Sequence, residues 1–190
     1  MIMTNNRLFV NTLFSVVVFS EIAWMGTTAS ANKEWIELYN NTDVLINLEG
    51  WKIVAEDGIP KINLTGQIVP NGFYLLERTR DDSVPGIVAQ QIYTGALENN
   101  GENLRLFDEK GNLMDEVRGE NGWPGGDNSS KQTLARGDSW STSAAVGGSP
   151  GEKNKALVPT EKLESVEETP PENPALAMAA ASSSHVRRVK

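Results

Sequence analysis

Apolar positions along this chain come in short runs that alternate with polar ones, and turn residues separate the runs. In Glu34-Trp35-Ile36-Glu37-Leu38-Tyr39-Asn40, an extended backbone places Trp35, Glu37 and Tyr39 on one face and Ile36 and Leu38 on the other. Residues 16–24 are rich in β-branched and aromatic side chains and predict a first strand. Val44, Ile46 and Leu48 alternate before Gly50-Trp51, where a glycine lets the chain bend ahead of the indole. Further short strands are expected at 62–68, 73–77, 103–108, 113–117 and 133–135, the third and fourth of these joined as a hairpin by Glu109-Lys110-Gly111-Asn112. Nowhere do ten or more residues carry a helical period. The pattern predicts an all-β sandwich of about eight or nine short strands, with Ile36, Leu38, Ile53, Phe73, Leu75, Leu104 and Leu106 facing inward.

Composition divides the chain into three. Residues 1–15 form an apolar leader with Arg7, too short and broken to span a bilayer as a helix. It resembles part of an export signal, and Ala29-Ser30-Ala31 offers a small-x-small cleavage site. A cut there deletes the first expected strand. Residues 16–154 form the domain. Residues 155–190 lack aromatics, carry Pro and Glu, and are expected to be a disordered linker or tail ending near Arg187, Arg188 and Lys190. Net charge is −8, and residues 32–154 hold it all, with eleven Lys/Arg against nineteen Asp/Glu. An acidic domain disfavours general nucleic-acid binding, although Arg78-Thr79-Arg80 leaves a local basic patch.

Candidate chemistry is thin. Cysteine is absent, and the single histidine, His185, lies in the expected tail, so thiolate sites and a histidine base in the domain are excluded. Gly147-Gly148-Ser149-Pro150-Gly151 matches a nucleophile elbow in letters only. Pro150 has no N–H for an oxyanion hole, and the segment reads as a turn. The carboxylate pairs Glu34/Glu37, Glu56/Asp57, Asp81/Asp82 and Asp108/Asp115 lack calcium-loop spacing, so no metal, cofactor or catalytic residue is assigned. Glu37 with Glu77 keeps a glycosidase-like alternative open. Of the five tryptophans, Trp51 reads as core and Trp35 leans that way. Trp123 and Trp140 sit in Gly/Pro/Ser loops as candidate contact residues. Asn40, Asn63 and Asn128 open glycosylation triplets, which matter only in a secreting eukaryote.

The ordered blocks around Glu21 and Trp24, then Glu34-Trp35-Ile36-Glu37-Leu38-Tyr39-Asn40, Gly50-Trp51, Gly72-Phe73-Tyr74-Leu75-Leu76-Glu77, Leu97 to Glu102, Asp115, and Ser149-Pro150-Gly151 to Asn154 resemble a lamin tail domain of the bacterial type. The resemblance implies an immunoglobulin-like β-sandwich, in which Glu21, Trp24, Glu34, Trp35, Glu37, Asn40, Gly50, Trp51, Pro150 and Gly151 define the fold and form no catalytic set. It implies a non-catalytic binding or scaffold module, secreted or on a bacterial surface, with a protein or cell-envelope component as partner. The alternative is a carboxylate- or metal-dependent hydrolase or nuclease, or an accessory domain of one.

Overall fold

The computed structural model describes residues 15–154, and among them the regular structure is all β. The strands are β1 (Val17–Ala23), β2 (Trp35–Asn40), β3 (Ile46–Asn47), β4 (Lys52–Ala55), β5 (Lys61–Asn63) and β6 (Gln67–Ile68), followed by β7 (Phe73–Arg78), β8 (Gln91–Tyr93), β9 (Leu104–Phe107), β10 (Leu113–Val117), β11 (Gln132–Arg136) and β12 (Trp140–Val146). They build a six-stranded sheet in the order β12-β11-β1-β2-β7-β8, a four-stranded sheet β10-β9-β4-β5, and the small pair β3-β6. The result is an immunoglobulin-like sandwich. Expectations for the leader (1–15, save Ser15) and the tail (155–190) lie outside the described residues.

The count exceeds the expected eight or nine because glycines divide two of the expected runs. Gly50, at φ 82°, turns the chain so that the Trp51 amide bonds back to the Leu48 carbonyl, and β3 separates from β4. A Cβ on Gly50 would also press on Glu109. Gly66, at φ 73°, divides β5 from β6. β8 has only three residues. β12, Trp140-Ser-Thr-Ser-Ala-Ala-Val, is built of small polar and apolar residues on the sheet edge, where no buried face imposes alternation. The loop expected around Trp140 is therefore corrected: Trp140 starts a strand.

One irregularity sets the faces of the large sheet. Phe19 pairs with Leu38 and Ile22 with Ile36, and a bulge between Phe19 and Glu21 absorbs the extra residue. Phe19, Ile22, Ile36 and Leu38 thus share the inner face, and Glu21 is moved opposite Glu37 on the outer one. The β2–β7 register pairs Tyr74 with Leu38 and Leu76 with Ile36, while Phe73 pairs with Tyr39 and Leu75 with Glu37. This corrects the expected inward set, since Tyr74 and Leu76 point inward and Phe73 and Leu75 outward. The cause is that the outer face is itself covered, so Leu75 is as buried as its inward neighbours. Ile53 and Leu106 pair across β4 and β9, as do Ala55 and Leu104, and all four are buried from the second sheet.

β1 lies between β11 and β2 in the middle of its sheet. Cleavage after Ala31 would remove a central strand together with Phe19, Glu21 and Ile22. Any mature form with this fold keeps the chain from Val17 onward.

Candidate functional site

Five acidic side chains on or beside the strands serve as tethers for the backbone of distant segments. Glu21 on β1 accepts hydrogen bonds from the Thr133 hydroxyl, the Ser149 amide (3.0 Å) and the Ser149 hydroxyl (3.3 Å). Glu37 beside it accepts the Gly151 amide at 2.5 Å. Glu77, closing β7, accepts the Ser83 and Val84 amides at 2.6 and 2.9 Å. Glu34 accepts the Leu97 amide at 2.8 Å and pairs with Arg78 at 2.8 Å. Asp115 takes the Phe19 amide at 2.8 Å and the Arg136 guanidinium at 2.7 Å. Each of these bonds stands in for water that the buried carboxyl group loses.

Glu21 and Glu37 form the centre of this arrangement, a clasp in which Ser149-Pro150-Gly151 lies over the outer face. Asn154 completes it, donating to the Ser20 carbonyl at 2.8 Å and the Arg136 carbonyl at 3.3 Å. Both carboxylates are 0 % exposed. Burial raises the Glu21 carboxyl above its ordinary value, with Thr133 and Ser149 opposing. Glu37 is pushed up to about 8, first by burial, with Gly151 and Ser20 opposing and the neighbouring Glu21 adding to the rise. One Glu37 oxygen has no hydrogen-bond partner. Glu37 is therefore held largely protonated at neutral pH. The clasp also leaves no room at Gly148, φ 74°, where a Cβ would run into the Glu21 carboxylate and the Thr133 hydroxyl. Gly148→Ala is expected to cost about 2–4 kcal/mol. Gly147→Ala, at φ 76° with open space around it, should cost about 1 kcal/mol, since only the backbone conformation is disfavoured. Urea unfolding of the two variants checks the contrast, and equal losses would remove the clasp as the cause.

The tryptophans occupy varied positions. Trp51 is buried behind the Gly50 turn. Trp35 is also buried, but on the outer face, where it lines a recess with Ser83, Val84, Val146 and Gly147. Trp24 stacks on Trp123, with centroids 6.0 Å apart and planes 5° from parallel. Their indole N–H groups donate to the Gly125 and Glu98 carbonyls. Trp123 is half-buried, as is Trp140, whose ring carries the Arg136 guanidinium 4.4 Å above its centre. The two candidate contact residues are not brought into one site with each other by any contact of this kind.

The expected carboxylate pairs separate in space or serve turns. Asp108 accepts the amides of Lys110 and Asn112 and shapes its hairpin. No group of three acidic, histidine or cysteine side chains that could hold a metal ion occurs among the described residues. Glu37 and Glu77 are both fully buried on backbone amides, with no path for a substrate to either. Within the basic patch Arg78 pairs with Glu34 at 2.8 Å, whereas Arg80 makes no ion pair among the described residues; Lys33 beside it pairs with Asp82 at 3.4 Å. Asn40 is fully buried, which closes its glycosylation triplet in the folded domain, while Asn63 and Asn128 are exposed. Thr133 and Asn154, with Ser149 as a direct partner of Glu21, are the residues that patterning alone did not assign a role. The signal for two of them was their place in the Ser149-Pro150-Gly151 to Asn154 block.

The sandwich with its carboxylate-held backbone defines an immunoglobulin-like domain. The family model for the lamin tail domain matches residues 13–120, and the chain belongs to that family. Glu21 and Glu37 fall within the matched stretch, whereas the segment they clasp lies beyond it. Comparison with curated proteins returned no match.

Proposed function

We propose that the chain is a non-catalytic binding or scaffold module of lamin-tail type. It acts outside the cytoplasm, on a bacterial surface or as a secreted protein, and engages a protein or cell-envelope component. The observation that supports this reading is an apolar loop end. Where β2 ends and β7 begins, Val44, Leu45 and Val69 are 55, 50 and 57 % exposed. The loops carrying them are braced from beneath, since the Asn40 amide group donates to the Val44 and Val69 carbonyls at 2.7 and 3.0 Å. Apolar side chains displayed on loops fixed by a rigid sandwich form a contact surface of the kind partners use. The five tethering acids, meanwhile, hold backbone segments in place, which favours binding over hydrolysis.

Leu45→Asp combined with Val69→Asp tests the surface. Retention on a cell-envelope fraction should fall by about tenfold or more. Stability should change by only about 0.5 kcal/mol, because neither side chain is buried. Unchanged retention would sink the reading. Export is tested by the mature N-terminus and location of the native protein, and recovery from the cytosol alone would count against it.

A further inference from the structure

The turn after β4, the loop entering β9 and the segment after β10 enclose a recess lined by Glu56, Asp57, Glu98, Glu102, Asn103 and Glu120. Five of these six are acidic, and no lysine or arginine lines the recess. Arg105 pairs with Glu56 at 3.2 Å, which leaves Asp57, Glu98, Glu102 and Glu120 without an ion-pair partner among the described residues. Glu102 is the telling group. It is only 6 % exposed, and both of its carboxylate oxygens are shielded from water and lack a well-formed hydrogen bond, with the Glu98 amide lying near them. A buried carboxyl group in that state keeps its proton unless a cation faces it.

The walls are fixed in place. Asn103 donates to Glu56 at 2.6 Å and accepts from the Gly119 and Glu120 amides at 2.8 and 3.2 Å. Gly101 and Gly119 meet so closely that a Cβ on Gly101 would strike the Gly119 carbonyl. A Cβ on Gly119 would strike the Glu102 backbone. A recess held open in this way loses little conformational freedom on binding.

We propose that this recess binds a cationic side chain, the guanidinium or ammonium group of a basic peptide segment. A bare metal ion fits poorly, because no three acidic groups converge on one point among the described residues. A guanidinium spreads five N–H donors over a plane and spans carboxylates that stand apart. The domain carries the whole of the chain's net charge of −8, which steers basic segments toward it. Such a segment belongs to another polypeptide.

Binding is coupled to a proton. Burial above all pushes Glu102 up to about 8; the Glu98 amide opposes, while Asp57, Glu98 and Glu34 repel its charge. Glu56 and Glu120 stand in the walls, and Tyr93 lies behind with the Glu34–Arg78 pair. A cation favours the ionised form of Glu102, so it expels the proton, and affinity rises with pH up to the Glu102 value.

The test is calorimetric titration of the full chain with a capped Arg-Arg-Val-Lys peptide at about pH 6 and about pH 9, bracketing the Glu102 carboxyl. A capped Gln-Gln-Val-Gln peptide serves as the control. Saturable binding of the basic peptide, tighter at the higher pH and with heats that depend on the buffer, is the expected result. Glu98→Gln with Asp57→Asn, both at exposed positions, should weaken it by roughly three- to tenfold. Equal affinity in that variant, equal binding of the neutral peptide, or no saturation would overturn the proposal. So would tight Ca²⁺ binding that the same substitutions abolish, which would make the recess a metal site. The proposal is independent of the apolar loop end, and failure of one experiment leaves the other standing.

Discussion

Raising the pH from about 6 to about 9 is expected to weaken the domain by about 2–3 kcal/mol through Glu37 alone, and Glu37→Gln should remove most of that loss. The ordinary carboxylate value is 4.5, and in the clasp Glu37 rises to about 8. Between those values the folded chain holds a proton that the unfolded chain has released. Stability therefore falls as pH rises through this window, and the decline ends above about 8, where both states are ionised. The sign is opposite to that of a carboxylate stabilised by a salt bridge. Glu21 is raised as well and adds in the same direction. Glutamine preserves the volume and can still accept the Gly151 amide, but it cannot ionise. Urea titrations at the two pH values read the effect, and a variant whose pH slope matches the parent's would refute the assignment to Glu37.

Asn40→Asp, a change of one NH₂ to oxygen, should cost about 4 kcal/mol or more. The Asn40 side-chain nitrogen donates to three carbonyls, Val44 at 2.7 Å, Ile68 at 3.2 Å and Val69 at 3.0 Å. Its oxygen accepts from the Thr42 amide at 3.0 Å and the Thr42 hydroxyl at 2.7 Å. Aspartate puts a carboxylate against those same carbonyls in a fully buried site. Each buried acceptor left unmet costs about 1–3 kcal/mol, and the new charge adds its own desolvation. Such a loss is a large part of a typical domain's stability of about 5–15 kcal/mol. Thermal denaturation of the variant checks it. A shift of only a few degrees would mean that the loops find other partners.

The sandwich was legible because its signals are local. Alternation in 34–40, the Gly50 bend and the hairpin at Glu109-Lys110-Gly111-Asn112 each name an element without reference to the rest of the chain. The faces of the central strands were not. Trp35, Ile36, Glu37 and Leu38 are all buried, so hydrophobicity no longer distinguishes inside from outside, and only the bulge at Phe19/Glu21 and the β2–β7 register do so. β12 escaped notice for a related reason, since an edge strand of Ser, Thr and Ala carries no period. The role of the acids was hidden by distance in sequence. Nothing near Glu21 or Glu37 reveals that Ser149 and Gly151 will supply their protons, although the ordered block resemblance joined these residues as a set.

The central place of β1 has a consequence for how the molecule comes into being. Its neighbours are β2, which follows at once, and β11, which is made near the end of the described chain. The sheet cannot close until β11 has been synthesised, nor can Glu21 and Glu37 find their amides before Ser149 and Gly151 have been. Non-local pairing of this kind slows folding. A nascent chain thus stays open until late, and a molecule truncated before Ser149 would have two ionisable acids and nothing to cover them.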